Sequence, residues 1–221
     1  VIVRVATRIP TALRNASERG ERYARLAGER LRRELLRARF RLDPDARPLR
    51  GTEALGDLPP DATLLFLCLG NICRSPMAER YARARLAEAG RADVSVESAG
   101  FVREEGRPSP EPAVEAARSY GVDLSDHASR RVTAAQLRRS DVVFLMDVKN
   151  YRRLERDFES AADKAYFLAP AVVDAFEIED PYPSTDVERY RTAYEIVTEA
   201  VDEVIDALPT REPSPVEDQS A

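Results

Sequence analysis

The chain has 221 residues, 43% of them apolar and 33% charged, with a formal net charge of −5 and two cysteines. This composition belongs to a folded globular protein with room for a core, and it excludes disordered and disulfide-stapled classes. No apolar run reaches the ~18 residues of a membrane-spanning helix, and Val1–Val5, soon broken by Arg8 and Pro10, is too short for a secretory hydrophobic core.

Residues 1–10 read as a short β-like run. From Thr11 to about residue 41, Leu13, Ala16, Tyr23, Ala24, Ala27, Leu31, Leu35 and Ala38 recur at helical steps among many arginines. Such a basic amphipathic helix suits a membrane surface, a nucleic acid or a partner. The interleaved Glu18, Glu21, Glu29 and Glu34 suit instead a solvated helix laid on the domain or on a second copy. They dilute the positive field, so nucleic acid is not expected; a membrane surface or self-association through 11–41 remains open. Residues 43–62, rich in Pro, Gly and Asp, read as a linker. The chain then alternates. Strands are expected at 64–67, 94–98, 141–146 and 165–168. Helices are expected at 76–89, 111–120, 133–139, 148–158 and 186–207, with Gly90 and Gly121 as stops and Thr133 as a cap. The tail 209–221 is polar and reads as disordered. This alternation predicts an α/β fold, a parallel sheet with right-handed crossovers and helices on both faces, in which ligands bind at the carboxyl ends of strands.

The first of these strands ends on Cys68. The loop Cys68-Leu69-Gly70-Asn71-Ile72-Cys73-Arg74 then leads into a helix. A strand–loop–helix turn of this length can aim successive backbone N–H groups inward at a helix N-terminus, forming a phosphate-sized anion site. Gly70 and Asn71 tolerate left-handed conformations. Arg74 offers a planar fork for two phosphate oxygens. The same donors stabilise a thiolate. The chemistry expected is in-line attack of Cys68 on phosphorus, giving a phosphocysteine that water later opens. An acid must protonate the leaving group. Asp180 is the candidate: Pro181 holds it extended and Tyr182 offers an aromatic wall. The plain alternative is an Asp-Pro turn. No ligand cluster for a metal is seen and no cofactor is expected. The lone pair of cysteines, both in one loop, suits a reducing compartment, hence the cytoplasm.

These residues resemble the low-molecular-weight protein tyrosine phosphatases. The resemblance covers Thr63 to Leu208 and rests on Cys-Leu-Gly-Asn-Ile-Cys-Arg-Ser-Pro with the distant Asp180-Pro181-Tyr182. Ser98-Ala99-Gly100, Asp126-His127 with Arg130, and Met146-Asp147 with Asn150 fit as well. The resemblance implies a four-stranded parallel sheet of flavodoxin-like order, with Cys68 as nucleophile, Arg74 as phosphate binder and Asp180 as general acid and then base. It implies that Ser75 bonds the Cys68 thiolate while Asn71, Ser98 and His127 hold the loop. A structural hydrogen-bonding role is also the ordinary reading of a lone histidine. Cys73 is either a small buried residue or a redox partner that shields Cys68 in a reversible disulfide.

Three features depart from the family pattern. Phe101 stands where a small hydroxyl residue is common, and the loop after the second strand lacks its usual aromatic, leaving Phe101 and Tyr182 as pocket walls. Pro183, not a second aromatic, follows Tyr182. The expected substrate is a phosphotyrosine protein or a small phosphomonoester. Ile72 favours this over the related arginine phosphatases, where a smaller hydroxyl residue is usual. A thiol redox enzyme of the arsenate reductase type and a non-catalytic phosphate-binding module are the other readings.

Overall fold

The structure is a computed structural model that describes residues 11–43, 52–173 and 175–210. The expected strand at 1–10, most of the tail and residues 44–51 of the linker lie outside the described residues. The chain divides into two compact units, Val1–Asp43 and Pro44–Ala221. The first contains the helix α1, Thr11–Leu42. Leu31, Leu35 and Leu42 are exposed on it. Among the described residues no helix is long and apolar enough to cross a membrane.

The second unit is a four-stranded sheet of order β2-β1-β3-β4, parallel throughout. Its strands are β1 (Thr63–Cys68), β2 (Ser95–Gly100), β3 (Val142–Leu145) and β4 (Ala165–Phe167). Its helices are α2 (Arg74–Glu88), α3 (Glu111–Arg118), α4 (Ala134–Arg139), α5 (Val148–Asp157) and α6 (Val187–Asp206). The chain moves outward from β1 to β2 and outward the other way from β3 to β4. Right-handed crossovers therefore place α2 and α5 on opposite faces. The side chains agree. Leu64, Phe66 and Phe144 join a core with Met77, Ala82, Ala113, Tyr190 and Tyr194 of α2, α3 and α6. Their neighbours Leu65, Leu67, Val143 and Leu145 point the other way and are equally buried. A strand buried on both faces needs an unbroken apolar run, which is why β1 reads Leu-Leu-Phe-Leu.

Two boundaries differ from the sequence reading. Helix α2 begins at Arg74, two residues before the expected start, because Ser75 and Pro76 fit the first helical turn, where Pro's missing N–H costs nothing. The expected linker is in part domain. It carries a 3-10 turn, Glu53–Leu55, and Leu55 is 0% exposed within the main core. Ala62 is buried in the same core and Leu58 packs against it, anchors that the Pro- and Gly-rich composition hid. At the opposite end of α2, Gly90 takes φ +68, the left-handed stop expected of it. Thr133 and Gln136 close a capping box on α4.

Candidate active site

β1 is an inner strand, flanked by β2 and β3, so Cys68 emerges at the carboxyl edge where the two halves of the sheet diverge. The loop after it is fixed by its carbonyl groups. The Leu69 carbonyl accepts from the Phe101 amide at 2.9 Å. The Gly70 carbonyl accepts from Arg107 Nη2 at 2.5 Å, and the Asn71 carbonyl faces His127 Nε2 at 2.7 Å. In a trans peptide the next N–H points opposite to the carbonyl. Three carbonyls tied outward therefore turn the amides of Gly70, Asn71 and Ile72 inward, as an anion nest requires. Asn71 supplies the left-handed residue, at φ +52. Gly70 does not, contrary to expectation. Its missing side chain leaves room instead, because a Cβ there would lie 3.1 Å from Arg107 Nη2 and 3.3 Å from Ile72 Cγ1.

The Cys68 sulfur receives the Asn71 amide at 3.2 Å and the Ser75 hydroxyl at 3.1 Å. The Ser75 proton is aimed by its neighbour. Asn71 Nδ2 donates to Ser75 Oγ at 3.0 Å and to Ser98 Oγ at 2.8 Å, so the Ser75 oxygen acts as acceptor there and its hydrogen is directed to sulfur. Ser98 in turn donates to Glu79 at 2.5 Å, and the Arg130 amide donates to Asn71 Oδ1 at 2.8 Å. Glu79 is 4% exposed, and Arg130 and Arg83 compensate its charge at 3.0 and 2.8 Å. Burial holds the His127 ring below its ordinary value. A neutral ring donating from Nε2 to a carbonyl is what this position calls for.

Arg74 is 1% exposed. Its Nη1 donates to Asp147 and to the Ile178 carbonyl, both at 2.8 Å. Its Nη2 pairs with Asp180 at 2.7 Å. Burial opposes its charge, but Asp147, Asp180 and Cys68 together hold its pKa above the ordinary value. Nε is buried without a hydrogen-bond partner. One edge of the guanidinium is thus tied to the protein, while the Nε–Nη2 edge is the one a bidentate phosphate would use. Asp180 hangs on a short segment anchored by the Ile178 amide to the Met146 carbonyl, at 2.8 Å, just past β3. That link brings residues more than a hundred positions apart to one point.

Tyr182 is 51% exposed and presents its ring to solvent. Phe101 is 7% exposed, and its amide donates to the Leu69 carbonyl. Cys73 is 2% exposed. Burial pushes its thiol well above the ordinary value, and the charges of Cys68 and Asp180 push the same way. The sequence reading passed over Arg107, Glu79 and the pairing of Asp147 with Arg74. Asp147 had a signal, as a carboxylate directly after the apolar run of β3; Glu79, in an Arg-rich helix, and Arg107 had none.

A family model described as low molecular weight phosphotyrosine protein phosphatase matches residues 63–213. The chain belongs to that family. A probable low molecular weight protein-tyrosine-phosphatase, EpsP, of Ralstonia nicotianae is 32% identical over 145 residues, 66% of this chain and 92% of that protein. The Etp phosphatase of Escherichia coli K12 is 33% identical over 120 residues, 54% of this chain and 77% of that one. Among solved structures, the low molecular weight protein tyrosine phosphatase from T. tengcongensis aligns with a TM-score of 0.61 at 34% identity, covering 66% of this chain and 99% of that one. The YwlE arginine phosphatase from Geobacillus stearothermophilus aligns at 0.59 with 26% identity, covering 66% and 91%.

Proposed function

We propose that this family member hydrolyses phosphotyrosine monoesters of proteins through a phosphocysteine. The observation that carries the reading is the convergence on one sulfur: an amide and a hydroxyl donate to Cys68, and Arg74 and Asp180 lie paired at 2.7 Å beside it. The phosphoryl oxygens enter the nest of Gly70, Asn71 and Ile72 amides and take the Nε–Nη2 edge of Arg74, displacing Asp180 from Nη2. Cys68 Sγ attacks phosphorus as the P–O bond to the leaving group breaks, and the phosphoryl group passes to sulfur. The donors are fixed before charge develops on the equatorial oxygens, so no reorganisation opposes the step. When phosphate takes Nη2, Asp180 exchanges a cation for a dianion. Released from the guanidinium, its carboxyl is placed to donate a proton to the leaving phenolate. As a carboxylate again, it draws a proton from the water that cleaves the P–S bond and releases phosphate. Asn71, Ser75, Ser98 and His127 hold the cradle. Cys73, kept as a thiol by burial, is a packing residue at rest.

Ile72, 7% exposed and close to Gly70, puts a bulky aliphatic side chain in the loop, which supports a phosphotyrosine ester over the phosphoramidate of phosphoarginine. The exposed Tyr182 ring supplies one wall for a phenyl group. None of the site residues lies in Val1–Asp43, so we assign catalysis to the second unit and contacts with a surface or a second copy to α1. Both cysteines are free, which suits work in the cytoplasm. Hydrolysis of p-nitrophenyl phosphate, a phosphotyrosine peptide and a phosphoarginine peptide, beside the Cys68→Ser variant, tests the reading. Turnover of the first two with a strong preference over phosphoarginine, lost in the variant, is expected. A preference for phosphoarginine would reverse the substrate assignment, and no turnover of any would end it.

A further inference from the structure

The three carbonyls that shape the nest are tied outward by three different groups, and only one of these carries a full charge. Phe101 uses its backbone amide. His127 uses a ring that burial keeps toward its neutral form. Arg107 uses a guanidinium, on the peptide whose opposite end, the Asn71 amide, donates to Cys68 at 3.2 Å. We propose that Arg107 is a positioning residue for the nucleophile: it clamps the Gly70 carbonyl and thereby holds and polarises the Asn71 N–H against the Cys68 sulfur. The proposal rests on the phosphatase reading and deepens it.

The geometry is built rather than incidental. Gly106 turns the chain at φ +74, a conformation that favours glycine. The Arg107 backbone is then fixed on both sides to Ser129. Its amide donates to Ser129 Oγ at 3.0 Å and its carbonyl accepts from the Ser129 amide at 2.9 Å. Ser129 is 3% exposed and lies between His127 and Arg130, which hold the Asn71 carbonyl and side chain. Arg107 Nε is braced on the Glu104 carbonyl at 3.3 Å. The side chain therefore reaches the loop from a segment registered on the same strip of chain that holds Asn71. Gly70, lacking a Cβ, lets the guanidinium approach. A cation on a carbonyl strengthens the donor at the other end of the amide, and its field favours negative charge on a nearby sulfur. The segment after Gly106 thus contributes an electrostatic brace to the nest.

The test measures sulfur reactivity apart from ester hydrolysis. Alkylation by neutral iodoacetamide, located on Cys68 by peptide fragmentation, is followed against pH in wild type, Arg107→Ala and Arg107→Lys. Turnover of p-nitrophenyl phosphate and melting temperature are measured in parallel. The alanine variant is expected to move the alkylation midpoint to higher pH and to lower kcat/KM about tenfold, as loss of one charge-assisted contact would. The lysine variant is expected to recover part of both. An alanine variant whose midpoint and kcat/KM match wild type overturns the proposal. So does equal loss of activity in both variants with an unmoved midpoint, since that marks a packing role. A wild type that alkylates as expected but hydrolyses no ester would fail the phosphatase reading alone.

Discussion

At the scale of single residues, the division of labour on Arg74 sets the chemistry. Asp147 and the Ile178 carbonyl hold one edge, so substrate meets a guanidinium that is already oriented. Arg74→Lys keeps a charge but loses the fork. It is expected to lower kcat/KM by about 10²–10³-fold, the cost of removing a donor to a developing oxyanion; steady-state assays at saturating and limiting p-nitrophenyl phosphate check it. Asp180→Asn is expected to lower turnover of phosphotyrosine by about 10²–10⁴-fold and of p-nitrophenyl phosphate much less, because a good leaving group needs little acid help. Equal losses on both esters would count against Asp180 as the acid. The proposed catalytic residues stand out in the sequence at this scale because the chemistry calls for particular types: a thiol, a fork and a carboxyl. Arg107 was not readable. Its partner is a backbone carbonyl, and any residue has one.

At the scale of elements, the loop is shaped by its neighbours. The end of β2 presses on it: a Cβ on Gly100 would lie 2.8 Å from the Asn71 nitrogen and 2.9 Å from the Gly70 carbonyl carbon. Both are backbone atoms, so the nest itself would have to shift. Gly100→Ala is therefore expected to cost about 10²-fold in kcat/KM, on the scale of a misplaced catalytic group, and to weaken inorganic phosphate as a competitive inhibitor. Unchanged inhibition would show that the loop accommodates the methyl group. Strands and helices were legible because apolar runs and glycine stops follow backbone period and conformation. The early start of α2 was less so, since a nest and a helix N-terminus share residues and periodicity begins only after the first turn.

At the scale of the whole molecule, two features bear on stability. Leu55 joins the main core from outside the span matched by the family model. Leu55→Ala is expected to cost about 2–5 kcal/mol, as for a fully buried leucine, measurable by urea unfolding. Composition concealed this anchor, because scattered leucines among Pro, Gly and Asp have no period to announce them. His127 carries a pH dependence. Burial lowers its folded-state pKa below the ordinary 6.5, so the unfolded chain binds the proton first. Stability is then expected to fall as pH drops below that value and to be free of this penalty above it. His127→Gln keeps an N–H donor without the titration, so the stability difference between about pH 5 and 7.5 should be smaller in the variant than in wild type. A matching difference would remove His127 as its source.

The central claim is that Cys68 carries the phosphoryl group. Acid quenching during turnover of p-nitrophenyl phosphate, followed by peptide mass analysis, addresses it directly. The account predicts the added mass of one phosphoryl group on Cys68, absent from Cys68→Ser and more abundant in Asp180→Asn, where water is no longer activated. Steady turnover with no phosphoryl group on Cys68 at any quench time, in either the wild type or the Asp180 variant, would contradict it.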